Sequence, residues 1–183
     1  MEYRYYEIPA GSPVLALLGD KWVQNYGRDI DYLHFHNHLE VGFCYYGEGT
    51  VTFKEDIPFD GNMFTVIPKN FPHTTTSAGD SVSYWEWLFI DADKFLREVY
   101  KDNPRMAQKV LDRVNRRAHF VRVQDKPQIG ALVQQIIGCM RERKEFYLEE
   151  VKGLTLALLL QVARWNREEA EKTEFEAGNS SLI

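Results

Sequence analysis

The sequence predicts a mainly β fold with C-terminal α-helices, and three observations support this. Between Tyr3 and about Ile90, Gly, Pro, Asn or Asp recurs about every 8 to 12 residues, which is the spacing of many short strands. The runs between these breaks are rich in Val, Phe, Tyr, Trp and Thr, which favour strands. After Asp91 the apolar residues follow a helical period instead. A series of antiparallel strands without an intervening helix is typical of a sandwich or barrel.

The predicted strands are short apolar runs bounded by turn residues. Gly47-Glu48-Gly49 is predicted to form a tight hairpin, because glycine adopts the positive φ angles that such turns need. A second turn is predicted at Asp60-Gly61-Asn62. The predicted strands are Tyr32–His36, Glu40–Tyr46, Thr50–Lys54, Met63–Ile67, His73–Ser77 and Ser81–Ile90.

Three helices are predicted after the strands. The first has Asp91 as its cap and carries Phe95, Leu96 and Val99 at helical spacing. The second is predicted to begin with a capping Asp125 and Pro127 in its first turn. Its apolar residues are Ile129, Leu132, Val133, Ile136, Ile137 and Met140. A third, long helix is predicted to begin at about Phe146.

The last helix carries an apolar stripe that alternates by four and three residues, as in coiled coils. The stripe predicts a homodimer interface that consists of Tyr147, Val151, Leu154, Leu158, Val162 and Trp165. The alternative is that this helix only packs on its own barrel and on the preceding helix, since interior helices are also apolar on several faces. Beyond Asn166 the sequence becomes acidic and then Gly/Ser-rich, which predicts a linker.

Composition excludes several classes of function. The formal net charge of −5 argues against a surface that grips a nucleic-acid backbone, which needs clustered Lys and Arg. The apolar run 154–163 is well short of the roughly 20 residues of a membrane span, and the N-terminus lacks the pattern of a signal peptide. We therefore expect a cytoplasmic protein with no membrane partner. The two cysteines are expected to be buried thiols, and no Gly-x-Ser-x-Gly elbow points to nucleophilic catalysis.

Histidines and a carboxylate cluster in a pattern that suits a polar site. His34 and His36 share one face of a strand, since side chains at i and i+2 point the same way. Glu40 follows, and His73 can join them from a neighbouring strand. Such a set suits Zn, Fe, Mn or Ni, and the same groups can equally satisfy one another or bind the hydroxyls of a polyol.

The spacing His34-x-His36-x(3)-Glu40-x(6)-Gly47 resembles the first motif of the cupin superfamily. A second cupin motif is partly present as Gly61-x(6)-Pro68-x(4)-His73. The sequence departs from that motif at Asn70, where a Gly is usual, and at Ser77, where an Asn is usual. The resemblance implies a double-stranded β-helix, or jelly-roll barrel, in which many members hold a metal.

A second resemblance covers nearly the whole chain. The histidine motif, the Gly47–Gly49 hairpin, the Val66–Pro68 run, the strand with Trp85 and Trp87, and the helices that follow resemble the N-terminal half of AraC-type transcription regulators. In that family the barrel binds a small effector, often a sugar, the helices dimerise, and a half with two helix-turn-helix units follows a linker and binds DNA.

This resemblance implies a domain organisation. We expect a sensor barrel with an N-terminal arm and a short helical segment in residues 1–123. The dimerisation helices, an antiparallel pair, are expected in residues 124–171. Residues 172–183 are expected to begin a linker to a DNA-binding domain outside this chain.

The candidate ligand-binding residues combine polar and aromatic groups. Trp85 and Trp87 share one face of a strand, and an aromatic face beside polar groups suits a sugar ring, although the same residues can be ordinary core. Trp22 and Arg28 are expected to belong to an arm that folds over the ligand. The full predicted set is His34, His36, Glu40, Tyr46, His73, Trp85, Trp87, Trp22 and Arg28.

The sequence thus predicts an effector-binding and dimerisation domain of an AraC-type regulator, not an enzyme, with no resident cofactor. The alternatives are a metal-dependent cupin enzyme, an isomerase or dioxygenase, with His34, His36, Glu40 and His73 as ligands, and a cupin-like binding module without a regulatory role.

Overall fold

A computed structural model describes residues 1–28 and 30–180, the last six of them as backbone only. The strands are β1 (Glu2–Arg4), β2 (Val14–Leu17), β3 (Val23–Gln24), β4 (His34–His36), β5 (Leu39–Tyr46), β6 (Gly49–Thr52), β7 (Asp56–Phe59), β8 (Met63–Val66), β9 (Thr74–Ser77), β10 (Ser83–Ile90) and β11 (His119–Arg122). The helices are α1 (Ala92–Val99), α2 (Pro104–Val114), α3 (Pro127–Glu142) and α4 (Tyr147–Ser180), and two 3-10 turns span Asp20–Trp22 and Val123–Asp125.

The strands form two sheets and a short parallel pair. The larger sheet has the order β11-β8-β5-β10-β2, with β3 also paired to β10. The smaller sheet has the order β7-β6-β9, and β1 pairs with β4 in parallel. Single backbone bridges join His34 to His73 and Glu40 to Ile67. This is the predicted jelly-roll architecture, mainly β with helices at the C-terminal end, although the sheets do not close into a complete barrel.

The larger sheet separates two hydrophobic cores. Along β10, Trp85, Trp87 and Phe89 pack into an aromatic core between the two sheets, here called the barrel interior. Leu88 and Ile90 point the other way and pack with the helices in a second core, here called the helix-facing core. The alternation follows from the period of two in a strand.

The four helices cover one face of the larger sheet. As predicted, Asp91 caps α1, where its side chain accepts a hydrogen bond from the backbone N–H of Lys94. Pro127 is at the start of α3, also as predicted, but the N-cap is Lys126, because Asp125 belongs to the preceding 3-10 turn. The sequence did not predict α2, or the strands β1, β2, β3, β7 and β11.

The apolar stripe of α4 is mostly internal to the chain. Val151, Leu158 and Val162 have 0% exposure and Trp165 has 5%, and all four pack in the helix-facing core. They are therefore not available to a second copy, which corrects their prediction as dimer interface. Tyr147 and Leu154 are partly buried against the same core.

The acidic segment after Asn166 is helical rather than a linker. Helix α4 continues through Ser180, so residues 172–180 form its last turns, while 181–183 lie outside the described residues. Ion pairs at helical spacing, such as Arg167 with Glu171 and Lys172 with Glu169, support this stretch. No helix in the described part of the chain is both long and apolar enough to cross a membrane.

Candidate functional site

Four buried side chains meet in the barrel. His34, His36, Glu40 and His73 are exposed by 7%, 1%, 3% and 1%, and one ligand atom of each lies within 4.8 Å of the others. The centroids of the three imidazole rings are 4.4 to 5.1 Å apart. The structure therefore brings together the four residues that the sequence singled out.

Local backbone pairing explains this convergence. His34 and His36 lie two residues apart on β4, and the backbone groups of His34 and His73 exchange two hydrogen bonds of 2.9 Å. The turn before His73 contains Asn70, whose φ of 61° is left-handed and whose N–H donates to the His36 carbonyl at 2.8 Å. Asparagine tolerates this conformation better than most residues, so it can replace the Gly of the cupin motif here.

The contacts of Glu40 define the electrostatics of the cluster. Its Oε2 lies 2.7 Å from His36 Nε2 and 3.2 Å from His73 Nε2. Burial alone would raise the pKa of Glu40, but the adjacent imidazoles of His73 and His36 hold it well below its usual value. Burial lowers the pKa of His34 to about 3, so this imidazole is neutral at pH 7.

The hydrogen bonding of His73 shows which of its ring nitrogens carries a proton. Its Nδ1 lies 2.8 Å from the carbonyl oxygen of Phe71, and a carbonyl can only accept, so Nδ1 carries a proton. Its Nε2 faces the Glu40 carboxylate. A carbonyl that fixes the tautomer in this way is common for metal-binding histidines.

Several polar atoms of the cluster have no hydrogen-bond partner in the described part of the chain. Among the described residues, His34 Nδ1, both ring nitrogens of His36, and Glu40 Oε1 are buried without a hydrogen-bond partner. His36 Nε2 is close to Glu40 but is not aligned for donation. Three imidazoles and a carboxylate are a donor set that suits Zn and other first-row divalent metals. The residues present thus fit a metal.

The cluster forms the base of a cavity of about 380 Å³. Aromatic side chains form its walls: Tyr6, Trp22, Tyr26, Trp87 and Phe89. Polar groups interrupt these walls: Arg4, Gln24, Asn25, Arg28, Thr74 and Thr75. Cavities that bind small molecules combine apolar surface with a few polar groups in this way.

The Trp87 ring fits into the cavity wall because the facing residue is a glycine. Gly42 lies opposite Trp87 in the β5–β10 pairing, and a Cβ atom there would lie 2.5 Å from the indole ring. Trp85 stacks on Trp87 with ring centroids 4.9 Å apart, but it is fully buried and belongs to the interior core.

The structure places most of the predicted ligand-binding residues at this cavity. His34, Glu40, His73, Trp22, Arg28 and Trp87 line it, and His36 lies directly behind them in the cluster. Trp85 and Tyr46 do not line it. Tyr46 is 48% exposed at the end of β5 and contacts Tyr84.

Sequence reasoning missed several lining residues. Arg4 and Tyr6 come from the N-terminal arm, which pairs with β4 across about thirty residues of sequence, and no local pattern reveals such a pairing. Tyr6 stacks on Phe89 at 3.9 Å between centroids, and Asn37 bonds both backbone groups of Tyr6. Phe89 could have been found, because it follows Trp85 and Trp87 on the same strand face.

Fold comparisons agree with this architecture. No protein-family model and no curated protein matches the chain. The fold is similar to that of ToxT from Vibrio cholerae O395, with 12% identity over 84% of this chain and 54% of ToxT, and a TM-score of 0.50.

Other similar structures are the AraC-like transcriptional activator CuxR (14% identity, 71% of this chain and 42% of that one, TM-score 0.43) and a cupin protein from Bacteroides fragilis (18%, 42% and 61%, TM-score 0.32). The structural neighbours thus include AraC-like regulators and cupin proteins. The chain spans about half the length of ToxT.

Proposed function

We propose that this chain is the effector-sensing domain of an AraC-type transcription regulator. Its cavity would bind a small molecule, a sugar or a related polar metabolite, and DNA would be bound by a helix-turn-helix domain outside this sequence. The observation that carries the proposal is the cavity with its aromatic walls and polar base, inside a fold shared with ToxT over 84% of the chain.

The cavity chemistry supports a ring-shaped polar ligand. The indole faces of Trp22 and Trp87 offer stacking surface for the CH face of a sugar ring. Gln24 offers both donors and acceptors to hydroxyl groups, and the neutral His34 can do the same. Asn25 offers its amide oxygen as an acceptor, since its NH2 group already donates to the Gly79 and Ser81 carbonyls.

Sensing requires that the ligand bind one arrangement of the domain more tightly than another, since a ligand with equal affinity for two states shifts nothing. The residues from 18 to 28 supply a large part of the cavity wall. We infer that the position of this segment is what the ligand selects.

A thermal-shift screen with pentoses, hexoses and polyols tests this proposal. A ligand that binds only the folded state at a hundredfold excess over its Kd adds about 2.7 kcal/mol of stability. Trp22→Ala should remove the shift, while Tyr46→Ala, outside the cavity, should retain it. A stabilising ligand whose effect survives Trp22→Ala and His34→Ala would show that the cavity is not its site.

We also propose that the domain forms a homodimer through α4. Of the predicted stripe, only Tyr147 and Leu154 stay partly exposed. The other apolar residues that α4 leaves partly exposed are Leu148, Leu156, Ala157, Leu160 and Ala170. Sedimentation measures the oligomeric state, and Leu160→Glu should dissociate the dimer, whereas Glu149→Lys should not. A wild-type protein that is monomeric at its highest soluble concentration would refute the dimer.

The second candidate function is a metal-dependent cupin enzyme, and the convergence of four ligand atoms within 4.8 Å favours it. His34, His36, Glu40 and His73 would hold the metal, which would supply Lewis-acid chemistry when bound. The chain's own contribution would be to orient His73 through the Phe71 carbonyl and to exclude water with the aromatic walls.

Metal analysis of untagged protein separates the two candidates. Near-stoichiometric metal that is lost in His36→Ala but retained in His38→Ala supports the enzyme. His38 is a suitable control because it lies on the same segment, bonds Asn37, and is not in the cluster. Metal far below stoichiometry supports the sensor.

A further inference from the structure

A buried carboxylate lies directly behind the cavity wall. Glu86 is fully buried on β10, between Trp85 and Trp87 in sequence, and its side chain points to the opposite face of the sheet from theirs. The Tyr45 hydroxyl donates to its Oε1 at 2.5 Å. This carboxylate also contacts two segments that are distant in sequence.

The first of these segments carries a cavity residue. The backbone N–H of Gly19 donates to Glu86 Oε2 at 2.8 Å. Gly19 has a φ of 105° and immediately precedes the 3-10 turn Asp20–Trp22. The Trp22 N–H closes that turn onto the Gly19 carbonyl at 3.1 Å, and the Trp22 side chain lines the cavity. Glu86 therefore fixes the start of the turn that presents Trp22.

The second segment is the C-terminal end of α3. Arg141 donates from Nη1 to Glu86 Oε2 at 3.0 Å and from Nη2 to Oε1. A guanidinium and a carboxylate joined by two bonds have a defined relative orientation. Helix α3 in turn packs in the helix-facing core with α4. The Arg141 side chain is 45% exposed, so it can be replaced without opening that core.

We propose that Glu86 is a positioning residue that links Trp22 at the cavity to the C-terminal end of α3. The proposal rests on the proposed function, because it assumes that the cavity takes a ligand. A ligand held against Trp22 favours one position of the Gly19–Trp22 turn, and the carboxylate that holds this turn also holds Arg141. Ligand binding in the cavity is thereby coupled to the position of helix α3, and this coupling is how the ligand would regulate the domain.

Amide hydrogen exchange of the ligand-free full chain tests the link. In Arg141→Met the guanidinium is removed, and the Glu86 carboxylate loses the partner that orients it. We expect the amide of Gly19 to exchange about tenfold faster, because its hydrogen bond to the carboxylate is weakened when that carboxylate is no longer held in place. The amide of Trp22 should follow, because it bonds to the Gly19 carbonyl. Amides of Val41 and Phe43 in β5 should be unchanged, and Arg141→Lys should restore part of the protection.

Two controls make the outcome decisive. Lys144→Met removes a cation just beyond α3 that pairs with Glu142 at the surface, and it should leave the turn protected. If Arg141→Met accelerates the β5 amides by the same factor as those of the turn, the ion pair only supports the whole fold, and the inference is overturned. It is also overturned if the turn does not respond. Neither result touches the effector proposal, because this experiment uses no ligand.

Discussion

Two buried glutamates on opposite faces of the same sheet differ in how completely they are bonded. Both oxygens of Glu86, on the helix-facing side, accept hydrogen bonds, from Tyr45, Gly19 and Arg141. Glu40, in the barrel interior, contacts two histidines through Oε2, and its Oε1 has no partner among the described residues. Buried polar groups in folded proteins are nearly always satisfied. The difference teaches that the protein itself satisfies Glu86, whereas Glu40 retains an unused acceptor at the cavity where we propose that a ligand or metal binds.

The largest effect is expected from removal of Glu86. Glu86→Ala leaves the Tyr45 hydroxyl and the Gly19 N–H without their acceptor, and it should destabilise the protein by about 2–4 kcal/mol. Urea denaturation measures this loss, with the exposed Glu48→Ala as the control. A loss as small as that of Glu48→Ala would mean that Glu86 does not serve the fold in this way.

A smaller effect is expected when the interior face is overpacked. Gly42→Ala would place a Cβ atom 2.5 Å from the Trp87 ring and should cost about 1–3 kcal/mol. The displaced indole should also weaken binding of any cavity ligand. Thermal denaturation and the ligand screen measure the two effects together. Unchanged stability combined with unchanged ligand binding would contradict the close approach at Gly42.

The next effect is a pH dependence of stability. It comes from the buried pair His119 and Asn166, which contacts neither glutamate. His119 is buried, its Nε2 lies 2.5 Å from Asn166 Oδ1, and its ring stacks on Trp165. Burial lowers the pKa of His119, an effect that the nearby Arg117 and Lys126 reinforce and that Asn166 and Glu169 oppose. The folded state thus favours the neutral imidazole.

This shift has a defined sign. The unfolded chain binds the proton more readily, so the contribution of His119 is fully present above its unfolded pKa of about 6.5 and is lost as the pH falls below it. The loss is at most about 1.4 kcal/mol per pH unit. Denaturation between about pH 8 and pH 5 should show a shallower slope for His119→Gln than for the wild type. Equal slopes would mean that His119 remains accessible to protons when folded.

The smallest effect is expected at Glu40. Glu40→Gln removes the carboxylate charge beside His36 and His73, but its Oε1 has no described partner to lose, so the metal-free protein should lose less stability than with Glu86→Gln. Glu86→Gln, the same chemical change on the opposite face, should cost more. Matched urea denaturation of the two variants compares the two faces of the sheet directly. Equal costs would remove the distinction between them.

The sequence predicted those parts of the fold that local periodicity encodes. The alternation in β10 put Trp85 and Trp87 on one face, and the two-residue spacing of His34 and His36 did the same for these histidines. The helix-facing side was harder to predict. The pairing of Glu86 with Arg141 joins residues 55 positions apart, and no local pattern relates them.

Two errors have identifiable physical causes. The stripe of α4 was assigned to a dimer because a coiled-coil pattern and a buried helix have the same period. The acidic end of α4 was assigned to a linker because its composition is polar, although its charges pair at helical spacing, as Arg167 and Glu171 do.

The length of α4 has a mechanical consequence. From Arg167 to Glu174 no described side chain is buried, while Asn166 anchors the helix through Nδ2 to the Arg113 carbonyl at 2.7 Å. At 1.5 Å per residue, the backbone from Asn166 to Ser180 spans roughly 20 Å. A rotation of only about 5° at this anchor moves the far end by roughly 2 Å, by the same helix geometry. A slight tilt within the domain would therefore displace the end of this helix by about a third of an α-helical turn.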